Sequence, residues 1–140
     1  QNNPDIYYIS THQFPFYPGT GSQMETGGHN NVLNIPLQSG MRSADYRTKF
    51  DEAVIPFIQK SNPDLIIISA GFDAHHRDPM ASINLEADDF SYMIKKLKKI
   101  RPHLLVGLEG GYDLQALGEC CEAVAGALIN DVSEVEETLE

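Results

Sequence analysis

The sequence predicts an α/β domain built on a parallel sheet, and three observations carry that prediction. Leu65–Ala70 and Leu104–Leu108 are nearly unbroken apolar runs, the pattern of parallel strands buried on both faces. Each run ends at glycine-containing sequence, Gly71 after the first and Glu109-Gly110-Gly111 after the second, and each is soon followed by a chemically capable side chain, Asp73 and Tyr112. Strands alternate with helix-patterned segments along the chain. In open α/β sheets the working groups lie just beyond the carboxyl ends of the strands, so Asp73 and Tyr112 are expected at one sheet edge.

The elements follow in order. Asp5–Ser10 reads as a first strand, and Thr11–Asn30, with Pro15, Pro18 and several glycines, as a long irregular connection of the kind that often carries function. A second short strand is expected over Val32–Pro36. Ser43 is placed to cap a helix running to Lys60, whose apolar residues Tyr46, Phe50, Ala53, Val54 and Phe57 recur at helical spacing. Pro56 lies inside that pattern and should kink it or remove a backbone bond. After the Leu65–Ala70 strand comes a helix from Glu86 to Ile100, with Phe90, Met93, Ile94 and Leu97 on one face. Acids in its first turn and lysines at its end complement the helix dipole, and Pro102 stops it. The Leu104–Leu108 strand precedes a last helix, Leu114–Asn130, with an expected apolar stripe of Leu114, Leu117, Cys121, Val124 and Leu128.

The 140 residues suffice for one domain and one core. The chain starts at Gln1 rather than Met and reads as processed or as a piece of something longer. It has neither an apolar run of membrane-spanning length nor a signal-peptide pattern, so a soluble, cytoplasmic protein is expected. A formal net charge of −10 argues against binding a phosphate backbone, and the Glu134–Glu137 stretch reads as a solvated acidic end. Cys120 and Cys121, adjacent in a helix, point in different directions; they read as small buried or half-buried side chains in a reducing compartment.

Taken singly, the candidate residues are ambiguous. Asp73 is the type of residue that closes a turn or caps a helix, and equally the type that binds a metal. Asp73-Ala74-His75 has a ligand-like spacing, but His75, His76 and Arg77 read as an exposed loop. Tyr112 follows two glycines, which take positive φ at little steric cost and permit a tight turn. His12, beyond the first strand, is a ligand, a base or a structural donor. Gly-rich phosphate loops, nucleophile elbows and Cys-x-x-Cys pairs are missing from the sequence.

Several motifs in one order resolve part of this ambiguity. Ile9-Ser10-Thr11-His12-Gln13, Phe16-Tyr17-Pro18-Gly19-Thr20-Gly21, Asn34-Ile35-Pro36-Leu37, Ser69-Ala70-Gly71-Phe72-Asp73-Ala74, Asp78-Pro79-Met80 and Leu108-Glu109-Gly110-Gly111-Tyr112-Asp113-Leu114 together resemble the zinc-dependent histone deacetylase-like family, which includes acetoin-utilisation proteins and acetylpolyamine amidohydrolases. The resemblance runs from about Asp5 to Asn130. It implies the C-terminal part of an arginase/deacetylase-type parallel sheet with helices on both faces. Residues 1–130 would form the catalytic-domain part and 131–140 an acidic tail.

The resemblance further implies that Asp73 is one of three zinc ligands and that Tyr112 hydrogen-bonds the developing oxyanion. Tyr17, Met80, Gly110 and Gly111 would line a narrow substrate channel. The Ser10 hydroxyl and Thr11 carbonyl would serve a structural monovalent cation, K+. The substrate would be an acetylated lysine peptide or an acetylated small amine. In the family an Asp-x-His unit and a pair of general-base histidines, both upstream of the first strand seen here, complete the site; nothing in Gln1–Asp5 can replace them, and Asp73-Ala74-His75 does not match that unit. Two alternatives stand beside this reading: a non-catalytic fragment or binding module of the same fold, and a manganese ureohydrolase such as arginase. The latter needs clustered aspartates, and Asp73 has no second carboxylate two residues away.

Overall fold

A computed structural model describes residues 3–16 and 19–130; the expected acidic tail at 131–140 and the channel residue Tyr17 lie outside the described residues. The order of elements is β1 (Tyr8–Gln13), β2 (Val32–Leu37), α1 (Ser43–Lys49), a π-helical turn (Phe50–Val54), α2 (Ile55–Ser61), β3 (Ile66–Ala70), α3 (Ala87–Ile100), β4 (Leu104–Leu108) and α4 (Leu114–Ile129). Both strand pairs are parallel, β1 with β2 and β3 with β4; helix α3 makes the crossover between β3 and β4, and the long connection makes it between β1 and β2.

β1 begins three residues later than expected, because its ladder with β2 runs from Tyr8↔Val32 to Gln13↔Leu37. A strand ends where its partner's hydrogen bonds end, and Asp5–Tyr7 have no partner in that ladder. The helix expected from Ser43 to Lys60 is continuous in path but changes pitch at Phe50–Val54. The ring of Pro56 displaces the carbonyl four residues earlier, Glu52, and the widened π turn accommodates it. Ser43 does not cap this helix: Arg42 holds the N-cap position, and the Ser43 hydroxyl donates instead to Asp89 Oδ2 at 2.6 Å.

One core joins both strand pairs and all the helices, with Ile35, Leu37, Phe50, Val54, Phe72, Leu85, Phe90, Ile94 and Val124 among its buried members. The α4 stripe agrees with the expected one at Val124, with Leu117 and Leu128 partly buried against the core, and departs from it at Leu114 and Cys121. Ala116, Cys120, Val124 and Ala127 are buried, whereas Leu114 is 84% exposed and Cys121 is exposed. Small side chains face inward here because α4 lies close against α3, and burial pushes the Cys120 thiol up to about 12.

The β3–β4 ladder is sided. Ile66, Ile68, Leu104 and Val106 pack on the core, while their alternates Ile67 and Leu105, paired in register, stand 67% and 56% exposed. Within this chain the helices cover one face of that ladder and leave the other open.

A buried carboxylate ties α1 to α3. Asp89, with no exposure, accepts from Ser43 Oγ and Arg47 Nε at 2.6 Å each and from the Glu86 backbone N–H at 2.8 Å. Its last bond closes the capping box of α3. Asp89→Ala would strand the Arg47 guanidinium and two donors, and is expected to cost about 3 kcal/mol, read as a shift of the urea midpoint with unchanged slope.

Candidate active site

The parallel register of β3 and β4 ends at Ala70↔Leu108, so the two following loops leave the sheet level with each other. They are stitched together by backbone bonds: Glu109 N–H donates to Ala70 O (3.1 Å) and Phe72 N–H to Gly110 O (2.9 Å). Phe72 is buried and meets Phe90 edge-to-face at 5.1 Å, which anchors the first loop to α3.

Asp73 and Tyr112 converge, as their placement after two neighbouring strands predicts. The vacant Cβ position of Gly110 lies 3.2 Å from Asp73 Oδ2 and 3.6 Å from Tyr112 Cε2. A side chain at 110 would occupy the space in which the carboxylate and the ring approach. Gly111 has φ +135°, and a Cβ there would press on Leu117 Cδ1 and Phe72 Cβ at 3.3 Å each. Tyr112 itself is 59% exposed and Met80 66%, so this edge is open to solvent in the chain.

Electrostatically the edge is acidic. Burial raises the Asp73 carboxyl above its usual range, the neighbouring charge of Asp78 raises it further, and its own backbone N–H offsets part of this. A desolvated carboxylate beside a second one, with no cationic side chain acting on it, is a group suited to a metal cation. Asp73 is a single donor, however, and a catalytic zinc takes three protein ligands.

Among the described residues, one set brings three candidate ligand atoms within 4.8 Å of one another: His75, His76 and Glu86. Asp73 is not a member. The expectation of an exposed loop fails for His75, which is 1% exposed. Its Nδ1 accepts from the Arg77 backbone N–H at 3.2 Å. The neutral ring therefore carries its proton on Nε2, which faces Glu86 Oε2 at 3.9 Å. That nitrogen is buried and makes no hydrogen bond, the Glu86 carboxylate standing beyond hydrogen-bond distance.

Ser10, Thr11 and His12 lie on β1. His12 uses both ring nitrogens inside the protein, Nδ1 accepting from the Ser10 hydroxyl and Nε2 donating to Gly21 O, each at 2.9 Å; it is a structural bridge between β1 and the long connection. Thr11 Oγ1 bonds the Tyr46 hydroxyl at 3.1 Å, and that hydroxyl donates to Met93 Sδ. The structure thus gathers Asp73, Met80, Gly110, Gly111 and Tyr112 around the β3 and β4 ends, with Ser10 and Thr11 on β1.

One residue at this edge escaped sequence reasoning. Asp78 is 6% exposed and accepts from Met80 N–H at 2.9 Å and from Tyr112 N–H at 2.7 Å. The signal available was the Asp-Pro step at 78–79, a turn former, which gives no hint of the second bond, formed across 34 residues of sequence.

A profile of the histone deacetylase domain matches residues 1–128. This chain belongs to the histone deacetylase family. Over 118 residues it is 48% identical to the uncharacterised protein slr0245 of Synechocystis sp., a match covering 84% of this chain and 39% of that protein. Among solved structures, the HD domain of HDA15 superposes with a TM-score of 0.86 at 35% identity, over 91% of this chain and 38% of the other. An acetylpolyamine aminohydrolase from Burkholderia pseudomallei superposes with a TM-score of 0.80 at 27% identity, over 89% of this chain and 38% of the other. The fold is the α/β arrangement of these deacetylase and aminohydrolase domains. The chain spans less than two-fifths of the length of each of these three relatives.

Two outcomes test the site's construction. Gly111→Ala places a Cβ in a backbone region favourable to glycine alone and is expected to cost about 1–3 kcal/mol, measured by chemical unfolding. The raised Asp73 pKa means that the folded chain holds this proton more tightly than the unfolded one, so the group's contribution to stability falls as pH rises through its titration. In metal-free buffer Asp73→Asn is expected to raise the thermal midpoint at pH 7, with the gain disappearing once the pH is low enough to protonate the wild-type carboxyl.

Proposed function

We propose that this chain supplies one zinc ligand and the oxyanion-stabilising phenol of a deacetylase that hydrolyses acetyl-amide bonds. The observation that carries this reading is the convergence of Asp73 and Tyr112 on the vacant Cβ position of Gly110. Asp73 is the residue that would hold zinc, together with donors that this chain does not contain. The chemistry a bound zinc supplies is polarisation of the acetyl carbonyl and activation of a water at neutral pH.

The chain's own residues do the remaining work. Tyr112 presents its hydroxyl from a turn that two glycines permit and that the Phe72–Gly110 bond fastens to the neighbouring loop. A phenol hydroxyl donates a hydrogen bond, which strengthens as negative charge develops on the acetyl oxygen. Met80, exposed on the turn that Asp78 closes, would line the approach together with Gly110, Gly111 and Tyr17. The narrow channel implied by the family resemblance would admit an extended acyl-amine arm, so acetyl-lysine peptides and acetylated small amines are the proposed substrates, and nucleic acid is not. Thr11, through its carbonyl, and Ser10 would serve a structural K+: the Ser10 hydroxyl gives its proton to His12 and keeps its lone pairs for a cation.

No helix among the described residues is long and apolar enough to cross a membrane, and free cysteines suit a reducing, cytoplasmic setting. The alternative of a non-catalytic binding module finds less support, since a docking surface needs neither a desolvated carboxylate nor a phenol held against it.

In the protein that contains the whole catalytic domain, Tyr112→Phe is expected to leave the thermal midpoint unchanged and lower kcat by about 10²–10³-fold. The assay uses acetyl-lysine peptides and acetylpolyamines, each with and without a chelator. Full activity in that variant would remove Tyr112 from the mechanism. The 140-residue chain alone is expected to retain substoichiometric zinc after dialysis, since a single carboxylate does not hold the ion; tight one-to-one zinc by metal analysis would contradict the assignment of one ligand to this chain.

A further inference from the structure

We infer that Asp78 is the positioning residue of the site: its carboxylate holds the Tyr112 backbone and the Met80 backbone at once, and so sets where the phenol stands relative to Asp73. The inference deepens the proposed function and rests on the role given there to Tyr112.

The geometry is that of a bridge between two loops. Oδ1 accepts from Met80 N–H at 2.9 Å, two residues ahead in its own turn, and Oδ2 accepts from Tyr112 N–H at 2.7 Å on the loop after β4. Asp78 N–H donates to His75 O at 2.9 Å, which holds the aspartate in its turn. Asp78 is 6% exposed, so neither oxygen has free access to water in place of these donors. The adjacent Arg77 pairs elsewhere, with Glu119 and, at 4.0 Å, Asp113. Asp78 therefore keeps its charge for two backbone N–H groups, and charge-assisted bonds of this kind are about twice as strong as neutral ones.

Such a device is needed because of the residues it serves. Gly110 and Gly111 make the close approach possible but cannot stiffen the turn, glycine being the residue with the greatest backbone freedom. The turn is fixed at its start by Phe72 N–H on Gly110 O and at its end by Asp78 on Tyr112 N–H. Without the second bond, the phenol swings on a two-glycine hinge. A simple turn-closing aspartate would satisfy Met80 N–H alone; the bond to Tyr112 makes this one a spacer between the two loops. Small misplacements of a catalytic group are costly, about 10²-fold per ångström in unfavourable cases.

The test uses the full-length enzyme, zinc-loaded, with an acetyl-lysine peptide. Asp78→Asn removes the charge and turns one acceptor into an NH2 group, so one backbone N–H loses its partner. It is expected to lower kcat by about 10–100-fold while KM changes less than threefold and zinc content stays at wild-type level. In the Tyr112→Phe background the same substitution is expected to lower kcat by less than twofold, because the group it positions is gone. Asp78→Glu, which keeps both oxygens on a longer arm, is read in parallel and should recover part of the loss when Tyr112 is present. An equal loss from Asp78→Asn or from Asp78→Glu in both backgrounds would overturn the positioning role and leave Asp78 a structural residue. Full activity of Tyr112→Phe on its own would instead bring down the reading of Tyr112, a result distinguishable from failure of the Asp78 inference.

Discussion

The candidate site depends on the in-register parallel pairing of β3 with β4. Parallel neighbours run the same way, so their carboxyl ends emerge side by side, and Ala70↔Leu108 is the last pair before both backbones leave the sheet. Two backbone bonds then carry the pairing past the strand ends, through Glu109 and Phe72. A slip of one residue would invert the faces of β4 and send Gly110 and Tyr112 to the wrong level. The hydrophobic siding of the ladder, with Ile66, Ile68, Leu104 and Val106 on the core, is what holds the register. The arrangement of polar groups at the edge is thus secured by apolar packing several residues away.

On that frame the edge concentrates negative charge. Asp73 and Asp78 lie close enough for one to hinder ionisation of the other, and Asp78 spends its oxygens on backbone donors. Arg77, next to Asp78 in sequence, is engaged by Glu119. Asp73 is left as the carboxylate whose charge the fold does not compensate. Elsewhere the protein compensates its buried carboxylate fully: Asp89 has a guanidinium, a hydroxyl and a backbone N–H. The contrast between the two aspartates separates a group that holds helices together from one suited to hold something that is not protein.

Much of this was legible in the sequence because it depends on local pattern. The β4 span and the delivery of Asp73 and Tyr112 to one edge follow from apolar runs ending near glycine, and the α3 span from the helical spacing of Phe90, Met93, Ile94 and Leu97 before Pro102. The start of β1 did not, since a strand's limits are set by its partner in the ladder. The inward face of α4 was legible at Leu117, Val124 and Leu128 but not at its centre, because hydrophobicity favours Leu114 for burial, whereas close packing selects the smaller Ala116 and Cys120. His75 looked like part of a polar loop because neighbours His76 and Arg77 are polar; its burial comes from β-bridge pairing with Leu85, a contact ten residues away. The Asp78–Tyr112 bond was hidden for the same reason, being a contact across the sheet that no spacing rule encodes.

The uncovered side of the β3–β4 ladder has a practical consequence. Ile67 and Leu105 sit opposite each other with most of their hydrocarbon in water, on a two-stranded ribbon whose edges carry unpaired N–H and C=O groups. Wet aliphatic surface joined to open strand edges is the combination that drives edge-to-edge aggregation. Produced by itself, the polypeptide should be sticky, and polar replacements at 67 and 105 would improve its solubility without touching the residues that face α3 and α4.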